Sequence, residues 1–266
     1  LAGLGRLEAA AEAFAAEVAA AEDAPAAMLG IGDALNDLGR YVEAEPWYHR
    51  ALEAGAEGDR VHHGLAMAYQ RRQRHAEAVM LFEKALELGG PDPIVLSAAA
   101  QSLQALGRYG EAAEKYQVIL DADPDQPAAL LDTARLLLGL GQSAEAVVFL
   151  EHLLRREREG DNESAWPLLL YGRMALCDWH DFDDLVARVV ELSERELAAG
   201  GAVSVAPFSL FALPVSEELR SRVADRAAAI AARNAVSQAG GRAFAPRVGP
   251  RPRLTIGYLS PDFAAH

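Results

Sequence analysis

The chain has 266 residues, of which 51% are hydrophobic and 24% are charged, enough for one large domain or two ordinary ones. This composition excludes a disordered polyelectrolyte and a collagen-like fibre. The 39 acidic and 25 basic residues give a formal net charge of −14. A surface that acidic repels phosphate backbones, so we expect no nucleic-acid partner.

The cysteine content and the apolar runs predict a cytoplasmic protein. Cys177 is the only cysteine, which rules out an internal disulfide and favours a reducing compartment. The alanine-rich N-terminus is interrupted by glutamates, unlike a signal peptide. The most apolar run, residues 203–215, contains two prolines and is too short to span a bilayer. The chain opens at Leu1 without an initiator methionine, so we expect it to be a piece of a longer protein.

Along the chain, an internal repeat of 34 residues is the strongest signal. It is marked by a turn residue, an alanine five residues later and a large apolar residue four residues after that. The four sets are Gly39/Ala44/Tyr48, Gln73/Ala78/Phe82, Gly107/Ala112/Tyr116 and Gly141/Ala146/Leu150. This spacing fits two helices joined by a tight turn, with stacked neighbours covering each other's apolar faces. The pattern is typical of the tetratricopeptide repeat and predicts an all-α superhelix.

The period also predicts the domain boundaries. We place a partial repeat at 1–24 and full repeats at about 25–58, 59–92, 93–126 and 127–160. A divergent helix pair follows at 161–200, with helices around 164–176 and 182–197. Residues 201–253 form a transition segment with a linker and a helix that starts at Ser216, whose side chain suits an N-cap. Residues 254–259 have the pattern of a buried strand.

The groove of such a solenoid is its default binding surface, and we expect it to bind protein or peptide. Its predicted lining is polar and mixed in charge: Asp33, Asn36, Asp37, His63, Met67, Gln70, Gln101, Gln104 and Arg135. Amide side chains can pair with a peptide backbone whatever its sequence. A solvated face without a ligand is the alternative interpretation.

We predict no metal or cofactor site within the chain. His62 and His63 are adjacent on a helix, so their rings diverge by about 100°. The acidic residues from Asp178 to Asp184 are better explained as carboxylates at a helix N-terminus. Gly30-Ile31-Gly32 lacks the third glycine and the preceding strand of a dinucleotide-binding motif.

The C-terminal third carries a family resemblance. Cys177-Asp178-Trp179 is followed by Pro207-Phe208, a helix, and then the run from Arg253 to His266, which includes Ser260-Pro261-Asp262-Phe263. This order resembles the bacterial relatives of the protein O-GlcNAc transferases and the plant SPINDLY proteins. The resemblance implies that the superhelix runs into a two-lobed glycosyltransferase of the GT-B type. Residues 254–266 would then begin the first, Rossmann-like lobe, with 254–259 as its first strand.

The resemblance also implies a reaction and a site. Such enzymes transfer a sugar from a nucleotide donor to Ser or Thr hydroxyls of proteins, without a required metal. The implied donor is UDP-GlcNAc, with GDP-fucose as the alternative, and His266 matches the active-site histidine, as general base or positioning group. Asp262 and Phe263 match the loop beside it. The donor-binding lobe would lie beyond His266, so we expect this chain alone to be inactive.

Two alternatives stay open at this point. A tetratricopeptide array is also found in non-catalytic scaffolds that present partner proteins, and it is compatible with an oligomer. Animal members of the resembled family carry an asparagine ladder along the groove. The matching positions here are Gly30, Gly64, Ala98 and Asp132, so we do not expect that ladder.

Overall fold

A computed structural model describes residues 24–156 and 162–238, and all regular structure in these two ranges is helical. The chain divides into two compact units, residues 1–192 and 193–266. The helices of the first unit are α1 (Pro25–Asp37), α2 (Tyr41–Glu53), α3 (Asp59–Arg71), α4 (His75–Gly89), α5 (Pro93–Ala105), α6 (Tyr109–Ala122), α7 (Pro127–Gly139), α8 (Ser143–Arg156) and α9 (Ala165–Ala175). Helix α10 (Phe182–Ala199) crosses the division between the units.

The helices of the first unit pair in chain order. Each odd-numbered helix from α1 to α7 packs against the following even one, which in turn packs against the next odd one. In addition α1 contacts α3, α3 contacts α5, and α7 contacts α9. The odd-numbered helices therefore share one face of the stack, which we call the groove face.

Local sequence explains where the helices begin and turn. Helices α1, α5 and α7 have proline at their first position, where its fixed φ suits the helix and its missing N–H costs nothing. The side chain of Asp92 caps α5 by accepting hydrogen bonds from the backbone N–H groups of Ile94 and Val95. The turns within pairs place Gly39, Gly107 and Gly141 at φ of 75°, 74° and 75°. Glycine adopts this left-handed conformation without strain.

The repeated apolar residues form the core. The four alanines of the motif are fully buried, as are the large residues Tyr48, Phe82, Tyr116 and Leu150. Burial of each large side chain stabilises the stack by roughly 1.5–3 kcal/mol. The buried cluster of the first helices runs without a break from Ala27 to Ala99, so neighbouring pairs share one core.

The second unit contains a short 3₁₀ helix (Pro207–Ala212) that packs on α11 (Glu217–Gln238). Leu210, Leu219 and Val223 are buried there. The Arg220 guanidinium donates hydrogen bonds to the carbonyls of Leu210 (3.1 Å) and Leu213 (2.9 Å), which fixes the turn before α11.

The structure confirms the predicted start of α11 and the predicted positions of α9 and α10. Ser216 Oγ accepts a hydrogen bond from the Leu219 N–H (3.2 Å), which confirms the predicted N-cap. Helices α9 and α10 lie where the two divergent helices were predicted. The predicted strand at 254–259 and all but the last residue of the predicted partial repeat at 1–24 lie outside the described residues. The domain boundaries stay predictions.

Candidate functional site

A cavity of about 620 Å³ opens on the groove face between α1 and α3. Five of the nine predicted groove residues line it: Asp33, Asn36, Asp37, His63 and Met67. Its other lining residues were not predicted: Tyr41, Tyr48, Arg60, Gly64, Arg71 and Ile94. A volume of this size is in the range of ligand-binding clefts.

The floor of the cavity is the Tyr48 ring, which is held between two glycines. A Cβ atom at Gly32 would lie 2.8 Å from the ring, and one at Gly64 would lie 2.6 Å from it. Real Cβ atoms do not approach this closely, so both positions need glycine as long as tyrosine fills the space between them.

The Tyr48 hydroxyl is held by a polar network. It donates to Asp33 Oδ1 (2.9 Å) and accepts from Asn36 Nδ2 (2.9 Å). Burial, together with the negative charge of Asp33, raises the pKa of the Tyr48 phenol far above its ordinary value. The phenol therefore stays protonated and neutral at any physiological pH, with its oxygen hydrogen-bonded to both Asp33 and Asn36.

Two predicted groove amides are already engaged within the protein. Asn36 Nδ2 also donates to the Gly64 carbonyl (2.8 Å), so both of its N–H groups are used. Gln70 Nε2 likewise donates to the Ala98 carbonyl (2.8 Å) and to Ser102 Oγ (3.0 Å). These amides tie successive odd-numbered helices together. The Asn36 Oδ1 atom is buried and has no hydrogen-bond partner among the described residues, so the Asn36 amide is closed to a peptide.

The other predicted groove residues lie further along the stack. Gln104 Nε2 donates to the Tyr116 hydroxyl (2.9 Å). Asp132 receives hydrogen bonds from Ser97 Oγ (3.1 Å) and Gln101 Nε2 (3.4 Å), and it lies 3.4 Å from Arg135. The structure therefore places five of the nine residues at the cavity and two, Gln101 and Arg135, beside Asp132, while Gln70 and Gln104 bond other partners.

Two of the charged side chains at the cavity, Asp33 and Arg60, are paired with each other. Asp33 Oδ2 accepts from Arg60 Nε (3.0 Å) and Nη2 (2.5 Å), which neutralises both side chains. His63 lines the cavity with its ring 6.1 Å from that of Phe82, while the neighbouring His62 bonds the Gly58 carbonyl. Within 24–156 and 162–238, no three His, Cys, Asp or Glu side chains are placed to hold a metal ion.

The loop between α9 and α10 is held by a residue that sequence reasoning missed. Arg173 donates to the His180 carbonyl (2.9 Å) and to Glu151 Oε1 (2.8 Å). Cys177 and Asp181 in this loop have φ of 55° and 51°, a strained conformation for residues other than glycine. No local sequence motif predicts the role of Arg173, because its partners lie on α8 and at the far end of the loop.

The predicted catalytic residues His266, Asp262 and Phe263 lie outside the described residues. Their roles stay predictions. The acidic residues Asp183 and Asp184 occupy the first turn of α10, as carboxylates at a helix N-terminus do.

Comparison with known families divides the chain into two parts. Tetratricopeptide repeat models match residues 23–88, 59–125 and 103–169. The model of glycosyl transferase family 41 matches residues 176–266. The chain thus joins tetratricopeptide repeats to a glycosyltransferase-family segment. No curated protein matches the sequence.

Solved structures with the same fold are repeat proteins of low sequence identity. PilW, a type IV pilus biogenesis factor, is 19% identical, with a TM-score of 0.62 over 81% of this chain and 90% of its own. Pseudomonas aeruginosa pilF is 16% identical, with a TM-score of 0.61 over 71% and 85%. YrrB, a TPR protein with an unusual peptide-binding site, is 17% identical, with a TM-score of 0.57 over 68% and 93%. These similarities confirm the predicted all-α tetratricopeptide superhelix.

The structure also bears on the membrane prediction. Among the helices in the described ranges, none combines the length and the apolarity needed to cross a bilayer.

Proposed function

We propose that this chain is the N-terminal part of a protein O-glycosyltransferase whose repeat array binds protein substrates. The observation that carries the proposal is the order of the family matches: repeats up to residue 169, then a glycosyl transferase family 41 segment from residue 176. A substrate held along the repeats would be presented to a catalytic part that follows in the same chain. An exposed, unpaired Cys177 fits a reducing cytoplasm.

The proposed reaction is transfer of GlcNAc from UDP-GlcNAc to a Ser or Thr hydroxyl. The acceptor oxygen forms a bond to C1 of the sugar while the bond from C1 to the pyrophosphate oxygen breaks. The hydroxyl proton passes to a base and UDP leaves. By resemblance, His266 lies beside the donor, with Asp262 and Phe263 in the same loop. Such a reaction needs a positioned acceptor and preorganised groups that stabilise the departing pyrophosphate.

The cavity on the groove face supports a substrate-binding role for the array. It has the size of a ligand site, a floor whose tyrosine hydroxyl is hydrogen-bonded twice, and exposed charged groups at its rim. YrrB, which has the same fold, is a TPR protein with an unusual peptide-binding site. A protein or peptide substrate is therefore the ligand class that we propose for this array.

The test uses the longer protein that we expect to contain this chain. We expect it to consume UDP-GlcNAc, or GDP-fucose as the competing donor, when it is incubated with acceptor proteins. The variant His266→Ala should lose 10²- to 10⁴-fold in transfer rate, the range for a general base, while its thermal unfolding stays unchanged. Glu114→Gln, an exposed change on α6, serves as the control.

Two outcomes would each decide against a part of the proposal. Unchanged turnover in His266→Ala would remove that residue from the mechanism. If no nucleotide sugar were consumed while partner proteins were still retained, the second candidate, a non-catalytic scaffold, would be favoured. The cavity on the groove face is compatible with that scaffold as well, so the donor assay separates the two functions.

A further inference from the structure

The second unit exposes two neighbouring aromatic side chains. Phe208 is 85% exposed and Phe211 is 70% exposed, and their ring centroids lie 6.2 Å apart. Because a phenylalanine side chain can bury about 200 Å², the two rings together expose apolar area on the order of 300 Å². An apolar patch of this size matches the largest one on many monomeric proteins, and such patches are often interaction surfaces.

The backbone that carries the two rings is held in place by its other side chains. Leu210, which lies between them in the sequence, is fully buried, and Leu213 is buried just after them. The Arg220 guanidinium bonds the carbonyls of these two leucines. Residues three apart in a 3₁₀ helix lie on the same face, so Phe208 and Phe211 point the same way. The segment therefore holds both rings outward, because Leu210 takes the inward position.

Helix α11, which follows the two rings, also lacks a packing partner over most of its length. Among its described side chains only Leu219 and Val223 are buried, and both lie in its first two turns. From Ala224 to Arg233 no residue is buried, although most of these residues are alanine. Most of the stability of a helix in a protein comes from packing of one face. Within the described part of the chain, α11 therefore lacks the partner that its 22 residues require.

The chain itself supplies an apolar segment of matching chemistry. Residues 239–266 follow α11 and lie outside the described residues. They belong to the same compact unit as the two rings, and to the same family match, which covers residues 176–266. Alternate side chains of a strand share a face. One face of the strand predicted at 254–259 would carry its three large apolar side chains of odd spacing, Leu254, Ile256 and Tyr258.

We propose that Phe208 and Phe211 form the docking surface for residues 254–259 of the same chain. The contact is made by the face of that segment which carries Ile256 and its two large apolar neighbours. Docking removes both rings from water and gives the second unit a larger core than the described residues alone provide. This inference concerns the assembly of the second unit, and it does not depend on which reaction the longer protein catalyses.

The connection between α11 and this segment is long enough for the contact. Helix α11 has 22 residues and is therefore about 33 Å long. Residues 239–253 reach up to about 50 Å when extended, so the chain can return from the end of α11 to the 3₁₀ helix. They contain three glycines and three prolines, a composition that favours a linker over a continued helix. Such a tether also gives the segment an effective concentration on the order of 1 mM at the docking surface.

The experiment is disulfide trapping in the 266-residue chain, in which Cys177→Ser first removes the only native thiol. Ala212→Cys places a thiol on an exposed residue at the end of the 3₁₀ helix, next to Phe211. A second thiol is introduced by Ile256→Cys or, as the matched control, by Thr255→Cys. We expect the pair with Ile256→Cys to form an intramolecular disulfide at least about 5-fold faster, because adjacent side chains of an extended segment face opposite sides. Mass spectrometry measures both rates under the same oxidant.

Removal of the two rings sharpens the test. The double variant Phe208→Ser with Phe211→Ser takes away the apolar face and leaves the buried Leu210 in place. We expect the fast disulfide to slow to the rate of the Thr255→Cys control, because the segment then has no apolar surface to pack on. Tyr109→Ser removes a ring that is 45% exposed on α6, in the first unit, and should leave the rate unchanged. Circular dichroism checks that each variant is folded.

The outcomes separate this inference from the proposed function. Equal rates at the two positions of the predicted strand, whether fast or slow, would overturn the inference. Fast trapping that persists without the two rings would overturn it as well. Disulfide-linked dimers in place of the intramolecular bond would assign the surface to a second copy of the chain, which also contradicts the inference. Absence of glycosyl transfer in the longer protein would overturn the proposed function but would leave the trapping rates unaffected.

Discussion

The front of the groove face, at α1 and α3, and its rear, from α5 onwards, are built from equivalent helix pairs but carry different residues at one register position. At the front, Gly64 leaves room for the Tyr48 ring and for the cavity above it. At the rear, the equivalent position two repeats later is Asp132, whose carboxylate accepts from Ser97 and lies beside Arg135. The same register position therefore carries a glycine beside the cavity at the front and a hydrogen-bonded carboxylate at the rear, on the same fold.

The large buried residues of the even-numbered helices differ in whether they carry a polar group. Tyr48 at the front passes between Gly32 and Gly64 and places its hydroxyl in the groove network. Tyr116 also reaches the groove, where its hydroxyl accepts from Gln104 (2.9 Å), whereas Leu150 is equally buried but has no polar group to extend there. The chemistry of the groove is thus set partly by residues of the even-numbered helices, which reach it through the core.

The largest effect on stability that we predict comes from adding a methyl group at Gly64, beside the Tyr48 ring. Gly64→Ala would place a methyl group 2.6 Å from the Tyr48 ring. We expect a loss of about 2 kcal/mol in the free energy of unfolding, because overpacking outweighs the roughly 1 kcal/mol gain in helix propensity. Chemical denaturation of the 266-residue chain measures the change.

A matched glycine provides the control for this prediction. Gly110 also lies in a helix, but a Cβ atom there would meet nothing within 4 Å. Gly110→Ala should therefore raise stability by about 0.5–1 kcal/mol through helix propensity alone. If both variants gained stability, the close fit of Tyr48 between the glycines would be wrong.

The second prediction concerns the rear end of the stack, where Arg173 joins α9 to α8 and to the loop before α10. Its side chain is largely buried, and it donates to the His180 carbonyl and to Glu151. We expect Arg173→Ala to lower the free energy of unfolding by about 1.5 kcal/mol, since hydrogen bonds to a charged group are lost. Thermal and chemical unfolding both report this loss.

The control for Arg173 is an exposed arginine from the preceding repeat. Arg135 is about half exposed and lies 3.4 Å from Asp132, so Arg135→Ala should cost less than about 0.5 kcal/mol. Equal losses in the two variants would show that burial of Arg173 has no special role at this end.

The sequence predicts the helix pairs but only part of the site. The 34-residue period locates the turns and the buried knobs, because stacked identical units must repeat their core contacts. The same period correctly predicts that Asp33 and Met67 lie on the groove face. It does not reveal that both N–H groups of Asn36 are used, because Gly64 lies 28 residues away on the next odd-numbered helix. The role of Arg173 cannot be predicted either, because its partners, Glu151 and the His180 carbonyl, are distant in sequence and do not follow the repeat.

The third prediction concerns the ion cluster of Glu45, Arg72 and Arg74, which joins the first two helix pairs and is not repeated 34 residues later. Glu45 is bonded by Arg72 and Arg74, whereas the positions 34 residues after Glu45 and Arg72 are Val79 and Leu106. Burial raises the pKa of the Glu45 carboxyl, but the hydrogen bonds, chiefly from Arg72, outweigh this. The resulting pKa lies below the ordinary glutamate value.

A lowered pKa in the folded state gives a definite pH dependence. The stabilisation by Glu45 is fully present above the unfolded carboxyl pKa of about 4.3 and is lost as the pH falls through the lower folded value. Glu45→Gln should therefore be about 1 kcal/mol less stable than the parent chain at pH 7, with the gap closing below about pH 4. A gap of constant size from pH 7 to pH 3 would contradict this account.

The smallest effect concerns the turn of the second pair, where Gln73 replaces the glycine of the other three pairs. Its φ of 62° is close to the 74–75° of Gly39, Gly107 and Gly141, so a residue with a Cβ atom is held in the left-handed region. Gln73→Gly should raise the free energy of unfolding by about 0.5 kcal/mol, because relief of roughly 1–2 kcal/mol of strain is offset by the greater entropy of unfolded glycine.

The reverse change, Gly107→Gln, introduces only backbone strain, since a Cβ atom there meets nothing within 4 Å. It should lower stability by a similar amount, and the midpoints of urea denaturation compare the two. A less stable Gln73→Gly variant would show that the hydrogen bond between Gln73 and His75 outweighs the strain of the turn.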